Sequence, residues 1–194
     1  MDNGLIIFVK NPVLGKVKTR LAQTLNEDNA LKIYNKLLQH TRKITENIFV
    51  NKYVFYSDYI NYDDLWQNGL YEKKLQLGKD LGERMENAFE VLFRKGHKQI
   101  IIIGSDCYDL TTDIILTAFD QLKQNDLVIG PAKDGGYYLL GMNSFIPELF
   151  INKTWSSSSV FFETISQIRS LNYSFHTLPV LSDVDIPGDV NFIF

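Results

Sequence analysis

Apolar residues along this chain fall into two kinds of pattern. Short unbroken runs, Leu5 to Val9 and the four isoleucines Ile100 to Ile103, show no polar alternation. Such runs suit strands covered on both faces, as in the middle of a parallel sheet flanked by helices. Longer stretches repeat at helical spacing: Leu31, Tyr34, Leu37, Leu38 and Ile44, then Leu81, Met85, Phe89, Leu92 and Phe93, then Ile114, Ile115, Ala118, Phe119 and Leu122. Start signals precede them. Thr19 is predicted to cap a helix through Leu25, Asp28 to open a second, and Asp80-Leu-Gly-Glu-Arg84 a third. Thr111 or Thr112 caps a fourth, and the serine run Ser156 to Ser159 a helix from about Val160 to Ser170. Tyr53 to Tyr56, Leu75 to Leu77 and Tyr173 to Leu178 read as further strands, while Ser57 to Tyr71 follows neither period. Asp126 to Ala132 and Tyr137 to Met142 are two strands joined across Lys133-Asp-Gly-Gly136, a hairpin signal.

Strands alternating with helices predict a mostly parallel sheet with helices on both faces, made mixed by the hairpin. The expected fold is a single-domain, three-layer α/β sandwich over residues 1–194. The 194 residues suffice for one well-buried domain and are short for two.

Composition narrows the function classes. A hydrophobic share of 45% and a charged share of 22% are ordinary for a globular protein. A net charge of −3 provides no global basic field for nucleic acid or an anionic membrane. The single cysteine, Cys107, excludes an intrachain disulfide and a thiolate zinc cluster, which points to the cytoplasm. The first apolar run has only five residues, too short for a signal peptide or a membrane span.

Candidate chemistry gathers after the two best strands. Lys10, Lys16, Lys18 and Arg20 share the loop after the first strand, with Gly15 permitting tight curvature. The following helix start adds free N–H groups, so the loop suits a polyphosphate. The G-x-x-x-x-G-K-[ST] spacing is absent, so it is not a Walker loop. Asp106 follows the four isoleucines, where open α/β sheets bind ligands. Asp106, Asp109, Asp183 and Asp185 are hard oxygen ligands suited to Mg²⁺ or Mn²⁺. Asp109 reads equally as a helix cap or turn residue. The segment Gly130 to Tyr138 is either a plain hairpin turn or a place where Asp134 and backbone approach a ligand. Trp155 reads as a core residue or a stacking wall. His40, His97 and His176 are isolated, and Cys107 has no basic neighbour to favour a thiolate.

The segments KNPVLGKVKTRL, LGERMENAF, IIIIGSDCYDL, GPAKDGGYYLLG, the Trp155-Ser156 pair and DVDIPGD occur in this order over residues 4 to 190. Together they resemble the radical-SAM/selenodomain-associated transferase family, of GT-A fold, among the nucleotide-diphospho-sugar transferases and related nucleotidyltransferases. The resemblance implies a Rossmann-like GT-A sandwich that binds a nucleotide or nucleotide sugar with Mg²⁺ or Mn²⁺. It implies phosphate contacts from Lys10, Gly15, Lys18, Thr19, Arg20 and Arg84, and metal ligation by Asp106 and Asp185. Asp106 and Asp134 are the implied catalytic pair, with Gly135, Gly136, Tyr137 and Trp155 near the second substrate. Tyr108 stands where the family usually has proline, Ile186 and Gly188 replace its Thr and Glu, and Ser157 replaces Thr. The expected activity is a metal-dependent glycosyltransferase moving a sugar from a nucleotide sugar to a small-molecule acceptor. The runner-up is a nucleotidyltransferase that releases pyrophosphate, and a third reading is a non-catalytic nucleotide-binding protein.

Overall fold

A computed structural model describes residues 2–190. Its strands are β1 (Asn3–Val9), β2 (Asn51–Tyr56), β3 (Tyr71–Leu75), β4 (Gln99–Ile103), β5 (Leu127–Pro131), β6 (Tyr137–Met142) and β7 (Phe175–Thr177). They form one sheet in the order β3-β2-β1-β4-β6-β5-β7. Only β6 runs antiparallel to its neighbours, β4 and β5; the other pairings are parallel. The helices are α1 (Thr19–Leu25), α2 (Glu27–Thr45), α3 (Leu81–Arg94), α4 (Thr112–Gln121) and α5 (Val160–Ser170). Short 3₁₀ turns occupy Pro147–Phe150 and Pro187–Val190. This is the predicted single-domain α/β sandwich with a mixed, mostly parallel sheet.

Side chains along a strand point alternately to opposite faces, so each apolar run feeds two cores. Leu5, Ile7, Ile101 and Ile103 pack with Leu21, Ile33 and Leu37 of α1 and α2 and with Ile115 and Phe119 of α4. Ile6, Ile100 and Ile102 pack with Met85, Phe89 and Leu92 of α3 and Ile165 and Ile168 of α5. The four isoleucines therefore divide two and two. Each is at most 4% exposed, and truncating one to alanine costs about 2–5 kcal/mol at such a site.

Several local expectations are corrected. The third strand is Tyr71–Leu75, not Leu75 to Leu77; it is an edge strand whose Glu72, Lys73 and Lys74 break the apolar run. Thr19 begins α1 but does not cap it: Lys18 holds the cap position in a left-handed conformation, φ 48° and ψ 44°. α2 is capped by Asn26, whose side chain accepts from the Asn29 N–H. Ser159 holds the cap position of α5 without a capping side-chain bond. Asp80 and Thr111 do cap α3 and α4, accepting from the N–H groups of Glu83 and Ile114. Among the described residues no helix is long and apolar enough to cross a membrane.

Because β1 and β4 are adjacent and parallel, with Ile7 opposite Ile103, their carboxyl ends open side by side. From β1 the chain winds through β2 and β3 to one edge, then returns to place β4 on the other flank of β1. Such a reversal leaves a crevice beyond the strand ends, where sheets of this kind bind ligands.

Candidate active site

A cleft of about 640 Å³ lies at that crevice, within the usual range for small-molecule sites. Lys10, Val17 and Lys18 line it from the β1–α1 loop, Thr19 and Arg20 from the first turn of α1, and Tyr34 from α2. Asp106 follows β4, Asp134, Gly136 and Tyr137 come from the β5–β6 turn, and Asp183 and Asp185 from the tail. Leu81, Trp155, Ser156, Ser157, Ser158 and Val160 complete the wall.

The β1–α1 loop is held at both ends. The Lys10 backbone N–H donates to the Tyr34 hydroxyl at 2.8 Å, which donates back to the Lys10 carbonyl at 3.0 Å. The same hydroxyl lies 3.3 Å from Ser105 Oγ, so one buried tyrosine couples the ends of β1 and β4. Burial, then the Asp106 charge, holds its phenol well above the usual tyrosine range. Buried Asn11 donates through Nδ2 to the Tyr59 carbonyl at 2.9 Å and accepts from the Asp58 N–H at 3.0 Å. Gly15, at φ 74°, is a turn residue whose missing Cβ would lie 3.2 Å from the Glu27 carboxylate.

At the loop's end Lys18 turns inward. Its side chain is 5% exposed, and Nζ lies 3.2 Å from Asp106 Oδ2 and 3.2 Å from Asp185 Oδ1. Burial alone would lower its pKa, but the two carboxylates more than offset that and raise it. A non-glycine residue at positive φ costs on the order of 1–3 kcal/mol; these ion pairs and the burial of Val17 beside it hold the conformation. Arg20 stays outside, 77% exposed, with Nη1 3.6 Å from Asp185 Oδ2.

The acidic bank is also built, not incidental. The Asp106 carbonyl accepts from the Val184 N–H at 3.0 Å, and Leu181 exchanges backbone bonds with Pro131 and Lys133. These bonds lay the tail across the ends of β4 and β5. Asp189 Oδ2 then accepts from the N–H groups of Asp185 and Ile186 at 3.0 and 2.9 Å, fixing the turn that presents Asp185. Asp183 stands beside them with its carboxyl pushed up to about 7, by burial first and then by the charges of Asp106 and Asp134.

On the far side, Asp134 Oδ1 accepts from the Gly136 N–H at 2.9 Å, which fixes its carboxylate in the turn. Gly135 is not part of the lining. Its φ is 93° and a Cβ there would meet the Ser158 carbonyl oxygen at 2.1 Å, so its role is to let the 156–159 segment dock. The Phe161 N–H completes that contact by donating to the Gly135 carbonyl at 2.9 Å. The Trp155 indole rests on Gly82 of α3, where a Cβ would lie 2.1 Å from Nε1. Trp155 is therefore both a partner of the core and a wall of the cleft.

Eleven of the sequence-predicted positions thus converge: Lys10, Lys18, Thr19, Arg20, Asp106, Asp134, Gly136, Tyr137, Trp155, Asp183 and Asp185. Arg84 does not, because its Nε donates to the Gly78 carbonyl at 3.1 Å and ties α3 to the turn before it. Asp109 lies in the turn after Asp106, outside the lining. Tyr34 was legible only as part of an apolar helix stripe, and Ser156 to Ser158 only as a capping run. The remaining nucleophile candidates are structural: burial first, then Asp183, pushes the Cys107 thiol up to about 12. His40 contacts the Leu110 carbonyl at 2.9 Å, and His97 the Tyr53 hydroxyl at 2.8 Å.

The donor set also answers whether a divalent ion fits. Among the described residues no three histidine, cysteine or carboxylate side chains form a self-sufficient cage. Asp106 and Asp185 nevertheless flank one cation, the Lys18 ammonium, at equal distances. Two hard carboxylates around a cation position, open to a phosphate, suit Mg²⁺ or Mn²⁺, which usually take one or two protein carboxylates and share substrate phosphates.

A family described as "uncharacterized protein conserved in bacteria (DUF2064)" matches residues 41–157. The chain is similar to a solved structure from Desulfovibrio desulfuricans G20, a protein provisionally named a nucleotide-diphospho-sugar transferase. The two share 31% identity and a TM-score of 0.92 over 100% of this chain and 86% of that one. CMP:2-keto-3-deoxy-manno-octonic acid synthetase, solved with CTP, aligns at 8% identity and TM-score 0.60, covering 100% of this chain and 97% of its own. The 4-diphosphocytidyl-2C-methyl-D-erythritol synthase of Anaerococcus prevotii DSM 20548 aligns at 10% identity and TM-score 0.60, over 98% and 93%. These two share the fold. No curated protein matches the chain. With more than half of its length matched by the family and all of it covered by a 31% identical structure, the chain belongs to the DUF2064 family of bacterial proteins.

Proposed function

We propose that the chain is a metal-dependent glycosyltransferase that takes a nucleotide sugar and passes the sugar to a small-molecule hydroxyl. The observation that carries this reading is the meeting of Lys18 with Asp106 and Asp185 at the carboxyl ends of β1 and β4. Cations on one bank and carboxylates on the other are what a diphosphate with a bridging divalent ion requires. Asp106 and Asp185 would hold Mg²⁺ or Mn²⁺, which supplies charge stabilisation for a departing diphosphate. Lys10, Lys18 and Arg20 bind the phosphate oxygens and neutralise the charge that grows on them as the sugar–oxygen bond breaks. The other half of the cleft differs in character, with Trp155, Tyr137 and the hydroxyls of Ser156 to Ser158. An aromatic face and hydroxyls suit a sugar. Asp134, oriented by the Gly136 N–H, accepts the proton of the acceptor hydroxyl as that oxygen bonds to the anomeric carbon. The resemblance of the six sequence segments supports, in this reading, a relation to the radical-SAM/selenodomain-associated transferases. The single buried thiol suits a reducing setting such as the cytoplasm.

The basic loop favours one second reading. Lys10, Lys18 and Arg20 together suit a triphosphate tail, and among structures of this fold one is a cytidylyltransferase by name and another was solved with CTP. In that case an acceptor phosphate attacks the α-phosphate and pyrophosphate leaves. Product analysis separates the two. Incubation with a panel of nucleotide sugars and nucleoside triphosphates, with Mn²⁺, should release a nucleoside diphosphate under the first reading. Pyrophosphate release selects the second, and the absence of both across the panel contradicts transferase function.

A further inference from the structure

Lys18 is assigned above to phosphate, yet its ammonium already has two partners. Nζ is 3.2 Å from Asp106 and 3.2 Å from Asp185, the pair assigned to the metal. The arrangement is specific to this residue. Lys16, two positions earlier, is exposed, and Arg20, two positions later, is 77% exposed. Of these three, Lys18, at the left-handed position, is the one whose side chain is buried in the cleft, at 5% exposed.

We infer that Lys18 is a resident counter-cation: it keeps the place of the divalent ion between Asp106 and Asp185 until ion and diphosphate enter together, then moves to the phosphate. The inference rests on the metal pair proposed above. A monovalent ammonium and a divalent ion repel at contact distance, so the two compete for the same pair of carboxylates. Without either, Asp106 and Asp185 would face each other with Asp183 close by and only the long, exposed Arg20 contact in compensation, a like-charge group that is costly when partly buried. The exchange keeps charge matched at both ends. One monocation leaves the carboxylates as one dication arrives, and the incoming diphosphate receives the displaced ammonium. Metal alone therefore binds weakly, and metal and diphosphate strengthen each other's binding by the same factor.

The test measures Mn²⁺ binding to the full chain by electron paramagnetic resonance, with no nucleotide present. Lys18→Met, which keeps the stem and removes the charge, should bind Mn²⁺ more tightly than wild type, by on the order of tenfold or more, the scale of one charge-assisted contact. Equal or weaker binding overturns the inference. Should this variant not fold, the wild-type protein decides the matter through lysine acylation read by mass spectrometry. Lys18 should be labelled slowly relative to Lys16, and saturating Mn²⁺ should speed its labelling severalfold. Unchanged or slowed labelling overturns the inference. Mn²⁺ binding that Asp106→Asn abolishes but Lys18→Met leaves alone removes this inference and spares the metal pair. No Mn²⁺ bound by either protein, even with UDP or CDP added, removes both.

Discussion

Asp183 and Arg20 show how differently two charged residues of one cleft should behave. The Asp183 carboxyl has a folded-state pKa of about 7 against an ordinary 3.8, so the folded protein holds this proton more tightly than the unfolded chain does. Its contribution to stability is complete below about pH 4, declines as pH rises, and is lost above about pH 7. Asp183→Asn, which stays neutral, should therefore gain melting temperature over wild type progressively between pH 5 and pH 8, in metal-free buffer. A gap that does not change with pH contradicts the assignment. Arg20 is the opposite case. Its contact with Asp185 is long and its side chain is 77% exposed, and such pairs contribute about 0–1 kcal/mol. Arg20→Ala should leave the melting temperature nearly unchanged while weakening nucleotide binding about tenfold or more, as expected for loss of a charged hydrogen bond of about 1.5–3 kcal/mol. Thermal denaturation and calorimetric titration on the same sample check both halves.

At the scale of elements, α3 presents two opposed effects at Gly82. Alanine there would favour the helix by about 1 kcal/mol, but its Cβ would fall 2.1 Å from the Trp155 indole. The indole must move, because that distance is far inside van der Waals contact. Gly82→Ala should thus keep the helix and displace Trp155. Trp66 is 1% exposed, so a red shift of tryptophan emission would report Trp155. Affinity for the cognate nucleotide sugar should fall severalfold while that for its nucleoside diphosphate holds. Unchanged emission with unchanged affinity argues against Trp155 as the sugar-side wall. The same scale explains what the sequence disclosed. β1 and β4 were legible because strands buried on both faces leave continuous apolar runs, and Asp106 was legible because it follows such a run directly. β3 was misplaced because an edge strand tolerates Glu72, Lys73 and Lys74. Tyr34 escaped notice because its ring obeys the helix period while its hydroxyl does separate work at Lys10 and Ser105. The resemblance points Arg84 to phosphate, whereas side-chain direction sends it to Gly78. Nothing in spacing announced that the backbone of Lys18 would be left-handed.

For the molecule as a whole, a net charge of −3 conceals a local division: cations after β1 face carboxylates after β4 and in the tail, across one switch point of the sheet. The rigid core fixes the distance between those banks, so ligand binding should couple directly to global stability. A cognate nucleotide at about a hundred times its dissociation constant should add about 2.7 kcal/mol, which for a chain of this size is on the order of 5–10 °C in melting temperature. A flat response across a panel of nucleotides and nucleotide sugars, with Mg²⁺ or Mn²⁺ present, speaks against a nucleotide site of any kind. The central claim is narrower: Asp106 and Asp185 hold the ion that meets the diphosphate. A crystal grown with Mn²⁺ and the nucleotide that gives the largest shift tests it directly, because the anomalous signal locates the ion without assumption. The account predicts one ion about 2–2.5 Å from a carboxylate oxygen of each aspartate and from the diphosphate, with Lys18 Nζ withdrawn to a phosphate oxygen. An ion more than about 5 Å from both aspartates, beyond any direct ligation, would contradict it.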